Sequence, residues 1–132
     1  MTSIVLISHS EKIAEGTKDL LEQMAQGVSV IAVGGNDGEI GTSFETISEV
    51  LNDLEEDAIC FFEIGSSEMN LDMAIEMYVG HYRIEKVDAP IVEGSFIASV
   101  SLSTGQSMDE AIASVRDTSV SYTHLTLPTS DL

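Results

Sequence analysis

The sequence predicts an α/β domain: a doubly wound, mainly parallel open sheet of about four strands with helices on both faces. Three observations carry this reading. Short apolar runs alternate along the chain with longer segments whose apolar residues recur at helical spacing. The first run, Ile4-Val5-Leu6-Ile7, is continuously apolar, as a strand covered on both faces should be. Ser10, and later Thr42 or Ser43, offer N-caps where strand gives way to helix, and helical crossovers join parallel strands.

The elements follow in order. After the first strand, Ser10 caps a helix whose first turn holds Glu11, where the helix dipole favours a carboxylate. Ile13, Thr17, Leu20, Leu21 and Met24 recur at helical spacing, so 11–26 reads as an amphipathic helix that ends at Gly27. Val28 to Val33 is a second strand running into the loop Gly34-Gly35-Asn36-Asp37-Gly38. The next helix buries Phe44, Ile47, Val50, Leu51 and Leu54. Ala58 to Phe62 is the third strand, ending at Glu63-Ile64-Gly65-Ser66-Ser67, and Leu71, Met73, Ala74, Ile75 and Met77 mark a third helix. A weaker fourth strand falls within 83–88. Pro90 suits the first turn of a helix through 91–104, and Gly105 suits its stop. Met108, Ala111, Ile112 and Val115 indicate a last short helix. Residues 1–119 thus form one domain. Residues 120–132, rich in Ser, Thr and Leu and without acidic character until Asp131, read as an atypical, non-native tail.

Composition narrows the function. The chain has 132 residues, enough for one domain. With 5 Lys and Arg against 23 Asp and Glu, the net charge is −18, which argues against binding nucleic acid or an anionic membrane surface. Hydrophobic residues make up 43%, enough to bury a core, so the acidity reads as a solvated shell that favours a partner with a basic face. The single cysteine, Cys60, excludes an internal disulfide and a cysteine-based zinc site; its apolar run makes it a buried, inert thiol. No basic segment precedes Ile4, and no apolar stretch reaches the ~18 residues of a membrane span, so a cytoplasmic protein is expected.

In an open α/β sheet, ligands bind at the carboxyl ends of the strands. Ser8-His9-Ser10, Gly34-Gly35 and Glu63 with Gly65-Ser66-Ser67 all fall at that edge. His9 stands beside a helix N-terminus, whose free N–H groups accept phosphate, and can act as a nucleophile. The same position suits a histidine that only fills the strand end, and the residues alone leave both readings open. Glu63 can fix the His9 tautomer through one ring nitrogen, or simply lie exposed. Ser10, Gly35, Thr42, Gly65 and Ser66 are the candidate phosphate-binding positions; ordinary turns and caps account for them almost as well. The loop from Gly34 to Ser43 is no P-loop, since no Lys precedes Thr42, and it lacks the ligand spacing of an EF-hand. His81 and His124 complete no metal-binding pattern with His9, and Met69, Met73 and Met77 read as a core or interface stripe.

The assembled motifs resemble a known family. Ile4 to Ser10 with Ile13-Ala14-Glu15-Gly16, Gly34-Gly35 through Gly38 to Ser43, Gly65-Ser66 with Met69-Asn70, and Ala89-Pro90-Ile91-Val92-Glu93-Gly94 resemble the phosphotransfer subunits of phosphoenolpyruvate-dependent dihydroxyacetone kinases, the DhaM type, across residues 3–117. The resemblance implies the doubly wound fold of mannose-type enzyme IIA domains, and a homodimer. It also implies a relay in which His9 takes a phosphoryl group from the phosphocarrier HPr and passes it to ADP on DhaL; the ATP formed phosphorylates dihydroxyacetone on DhaK. No metal, cofactor or bound nucleotide is then required on this chain. One departure stands out: the family usually has Asp-Leu-Gly-Ser where this chain has Glu63-Ile64-Gly65-Ser66, a carboxylate one methylene longer. Two alternatives remain, a sugar-transporting mannose-type enzyme IIA and a non-enzymatic α/β regulatory module. Ser8-His9-Ser10 and Gly65-Ser66-Ser67-Glu68 disfavour the first, whose family typically reads Thr-His-Gly and Gly-Gly-Ser-Pro at these places.

Overall fold

A computed structural model describes residues 1–63 and 65–118. The tail predicted at 120–132, with His124, lies outside the described residues. The elements run β1 (Thr2–Ser8), α1 (Glu11–Met24), β2 (Val30–Gly34), α2 (Phe44–Asn52), β3 (Asp57–Phe62), α3 (Ser66–Glu76), β4 (Ile84–Lys86) and α4 (Ile91–Ser103), and 108–118 form a further helix, α5. The four strands pair in the order β2-β1-β3-β4, all parallel. Leu6 lies opposite Ala32 on one side and Phe61 on the other, which puts β1 at the centre of the sheet.

Strand residues point alternately to the two faces, and two cores result. Ile4, Leu6, Ile59 and Phe61 pack with Leu21 of α1, Ala98 of α4 and Met108, Ala111, Ile112 and Val115 of α5. Val5, Ile7, Cys60 and Phe62 pack with Ile47 and Leu51 of α2 and Leu71 and Ala74 of α3. This is the expected covering of both faces. It also accounts for the continuous apolar run of β1, which has no solvent-facing side. Burial pushes the Cys60 thiol up to about 12, so it is inert as predicted.

The structure corrects several details. Within the expected apolar stripe of the first helix, Ile13, Leu20 and Met24 are 46%, 43% and 57% exposed, and the inward face is Ala14, Thr17 and Leu21. The reason is close approach to β2. A Cβ on Gly34 would lie 2.5 Å from the Ser10 carbonyl oxygen, 2.7 Å from Glu11 Cα and 2.9 Å from Ala14 Cβ. Only a small side chain fits such a contact, and Ala14 supplies it; Leu21 is buried farther along the helix, and Ile13, Leu20 and Met24 face outward. Ala25 rather than Gly27 caps α1, its N–H donating to the Leu21 carbonyl, and Gly27 takes the φ of +86° needed in the turn that follows. Val28 precedes β2 and packs against the core instead of pairing in the sheet. Met69, Met73 and Met77 lie on the outer side of α3, exposed, and form no part of the core. Pro90 occupies the N-cap position of α4 and not its first turn.

The contact at Gly34 also fixes the loop that carries His9. Gly34→Ala is expected to lower stability by about 1–3 kcal/mol, the usual cost of overpacking. It should also shift the backbone amide resonances of residues 8–14; denaturant unfolding and an amide NMR spectrum check both.

Candidate functional site

The strand order reverses direction at β1: the chain moves from β1 to β2 on one side, then returns to β3 on the other. Their carboxyl ends flank a crevice, the place where open α/β sheets hold ligands. Immediately past β1 stands His9, and immediately past β3 stands Glu63. The geometry between them is tight. Glu63 Oε1 accepts the His9 backbone N–H at 2.7 Å and lies 3.0 Å from the ring Nδ1. The two side chains are 29% and 24% exposed, so the pair is shielded but reachable.

Partial burial opposes ionisation of Glu63. The hydrogen bonds from the His9 backbone and ring and from the Ser8 hydroxyl, helped by attraction to the His9 ring, outweigh it and hold the carboxyl below the usual glutamate range. An ionised Glu63 can only accept, so Nδ1 carries the proton and Nε2 presents its lone pair. This tautomer is assigned by the hydrogen-bond network. At Nε2 the Ser66 hydroxyl approaches to 3.0 Å, and Thr42 Oγ1 lies 3.4 Å from Ser66 Oγ. Asn70 Nδ2 donates in turn to Thr42 Oγ1 at 2.7 Å.

Ser66 is the first residue of the eleven-residue α3, with Gly65 at the N-cap and a φ of +80°. The first amides of a helix have no partner within it, so they and the positive end of the dipole lie beside Nε2. The buried Ser67 hydroxyl donates to the Glu63 carbonyl and locks the end of β3 to α3. An open cavity of about 740 Å³ beside the ring is lined by His9, Phe62, Glu63, Asp88, Ala89, Pro90 and Ile91.

The sequence-predicted residues divide accordingly. His9, Glu63, Thr42, Gly65 and Ser66 come together. Gly35 does not join them as an anion donor: its N–H donates to the Ser8 carbonyl at 3.3 Å. The Ser10 oxygen accepts from Ile13 N at 3.3 Å, so its role is the α1 cap that the sequence also predicts. The glycine-rich loop supports His9 from behind, Gly41 N–H donating to the His9 carbonyl at 2.8 Å, while the cavity wall comes from 88–91. His81 is exposed, away from the cavity lining. Among the described residues no cluster of His, Cys, Asp or Glu is arranged to hold a metal. Asn70 was not a candidate, though it stands in the Met69-Asn70 motif. Helical spacing adds to that signal, since it puts Asn70 one turn from Ser66 on the same side of α3.

The chain is similar to several known proteins. Residues 3–112 match the EIIA-man family model, described as a PTS system fructose IIA component. The phosphotransferase subunit DhaM of the PTS-dependent dihydroxyacetone kinase of Lactococcus lactis is 40% identical over 108 residues, 80% of this chain and 86% of that protein. The phosphoryl donor subunit DhaM of dihydroxyacetone kinase 1 of Listeria innocua is 32% identical over 86% of this chain and 91% of its own length. The Escherichia coli phosphoryl donor subunit DhaM is 28% identical, and the aligned region is 26% of that longer protein. A crystal structure of a protein of unknown function superposes with a TM-score of 0.81 at 26% identity, covering 88% of this chain and 93% of that one.

Because the folded-state pKa of Glu63 is lowered, its contribution to stability is complete above the unfolded glutamate pKa. It is lost as pH falls through the folded value. Wild type should therefore unfold at higher urea than Glu63→Gln at neutral pH, and the gap should close in acid. A gap that stays constant across the pH series, or reverses, would remove the ionised Glu63–His9 pair.

Proposed function

The chain belongs to the EIIA-man family, and on that premise we propose that it is the phosphohistidine relay subunit of a dihydroxyacetone kinase. In this reading His9 accepts a phosphoryl group from phospho-HPr and delivers it to ADP on DhaL, whose ATP then serves DhaK. Relatives that align over most of their length carry the name DhaM and the description phosphotransferase or phosphoryl donor subunit. The proposal includes phosphotransferase activity, a homodimer, a cytoplasmic location and residues 1–119 as the phosphotransfer unit. No helix among the described residues is long and apolar enough to cross a membrane.

The observation that carries the reading is the asymmetric environment of one ring. Nδ1 is held by a carboxylate at 3.0 Å, while Nε2 faces a hydroxyl and a helix N-terminus. In the first transfer the Nε2 lone pair attacks phosphorus; the bond from phosphorus to the donor breaks, and its electron pair leaves with the donor. The ring keeps its Nδ1 proton and becomes positively charged, and the Glu63 carboxylate offsets that charge as it develops. In the second transfer an oxygen of the terminal phosphate of ADP attacks phosphorus, and the electron pair of the Nε2–P bond returns to the ring. Neither step requires Nδ1 to release its proton. Both need a nucleophile in line with the bond that breaks, and the open cavity suits visiting macromolecules better than a closed site would.

The sugar-transport reading shares the fold and the histidine, but the relatives named DhaM and the Ser8-His9-Ser10 sequence favour the kinase. Incubation with phosphoenolpyruvate, enzyme I and HPr should yield one acid-labile, base-stable phosphoryl adduct per chain by intact mass, absent in His9→Ala. Wild type left unmodified would refute the relay. Adding DhaL, DhaK, ADP and dihydroxyacetone should then give dihydroxyacetone phosphate; phosphorylated protein without that product would move the assignment to sugar transport.

A further inference from the structure

We propose that Asn70 is a positioning residue that sets the direction of the hydrogen-bond chain ending on Nε2 of His9; the proposal rests on the relay reading above. The argument starts at Glu63. Its ionised carboxylate fixes the proton on Nδ1, so Nε2 is an acceptor and Ser66 must donate to it. A hydroxyl has one hydrogen, so the Ser66 oxygen is left to accept, and Thr42 donates to it. Thr42 has then used its own hydrogen and must accept, and the group placed to donate is the Asn70 amide at 2.7 Å. The chain runs one way, Asn70 to Thr42 to Ser66 to His9 to Glu63, and each donor is polarised by the next.

Asn70 joins two separate pieces of the fold. It lies one turn into α3, and Thr42 lies in the loop that precedes α2. The Thr42–Ser66 contact, at 3.4 Å, is the longest of the chain, and Asn70 holds the Thr42 oxygen at the shortest, 2.7 Å. When Nε2 bonds to phosphorus it stops accepting, and the Ser66 and Thr42 hydrogens are released toward the phosphoryl oxygens. With its lone pair engaged by Asn70, Thr42 presents hydrogen, not oxygen, to that anion. Asn70→Asp keeps the shape but can only accept, so it takes the Thr42 hydrogen, and Thr42 then draws the Ser66 hydrogen away from Nε2. Asn70→Ala frees the Thr42 rotor.

The test uses the full chain, labelled with ¹⁵N in the histidine rings. In unphosphorylated protein the Nε2 resonance of His9 should move in Asn70→Asp and Asn70→Ala, while thermal unfolding stays close to wild type. With phospho-HPr as donor, kcat should fall by roughly tenfold at unchanged KM, a smaller loss than removal of a donor that touches the charge directly. In a Thr42→Val background, Asn70→Ala should have no further effect, because Asn70 acts only through Thr42. Additive losses, or an unmoved Nε2 resonance in protein that still takes phosphoryl groups, would overturn the role of Asn70 alone. Wild type that takes no phosphoryl group would sink the relay reading, and this role with it.

Discussion

The contact between the Glu63 carboxylate and Nδ1 of His9 is the interaction on which the rest of the site depends. It decides which ring nitrogen is free, and through that it decides the direction of every hydrogen bond on the far side of the ring. One carboxylate oxygen does this while also accepting the His9 backbone N–H, so the ring and the main chain are fixed together. The methylene that distinguishes Glu63 from the family's usual aspartate is compatible with that double contact. The longer side chain still reaches His9, and the hydrogen bonds it receives keep it ionised despite partial burial.

That contact exists because of the sheet. β1 and β3 are parallel neighbours, with Ile7 opposite Phe62, so the residues that follow them emerge at the same edge. The sequence made this much legible: unbroken apolar runs placed His9 and Glu63 at strand ends, and the rule for ligand sites in α/β sheets joined them. Thr42 and Ser66 were legible as polar residues at helix starts. Gly35 and Ser10 stand at the same edge but also do local work: the Gly35 N–H donates to the Ser8 carbonyl and the Ser10 oxygen accepts at the α1 cap, and such backbone partners leave no trace in composition. The wall at 88–91 was hidden for a different reason. It depends on where α4 docks, which Gly94 permits: a Cβ there would meet Ala89 Cβ at 2.9 Å and the Phe61 ring at 3.0 Å.

The helix faces show the limit of periodicity as evidence. Spacing indicated a helix over 11–26, which the structure ends at Met24, and of the apolar stripe it marked only Thr17 and Leu21 are buried. Ala14 and Thr17 pack inward because α1 sits almost on the backbone of β2, and Ile13, Leu20 and Met24 are displaced to the surface. On α3, Leu71 and Ala74 are buried, while Met69 and Met73, and Met77 at its C-cap, are exposed. Hydrophobic spacing identifies a helix; the depth of its contact decides which of its apolar residues are buried.

Charge explains why such a site would pass a phosphoryl group on. Among the described residues lining the cavity are two carboxylates, Glu63 and Asp88, and neither Lys nor Arg. Lys86, whose ammonium lies 5.4 Å from the centre of the Phe62 ring that lines the cavity, is already engaged by Glu68 at 2.8 Å and Asp72 at 2.7 Å. A phosphoryl group on Nε2 would be held by hydroxyls and helix amides, which orient it, without an arginine clamp to neutralise it. Neighbouring carboxylates would raise the energy of that dianion and so favour its transfer. On the scale of the whole molecule, a net charge of −18 repels acidic visitors and steers basic faces toward the surface. Binding weakly enough to release, at a place charged to attract the next protein, is the behaviour a relay needs and a storage site does not.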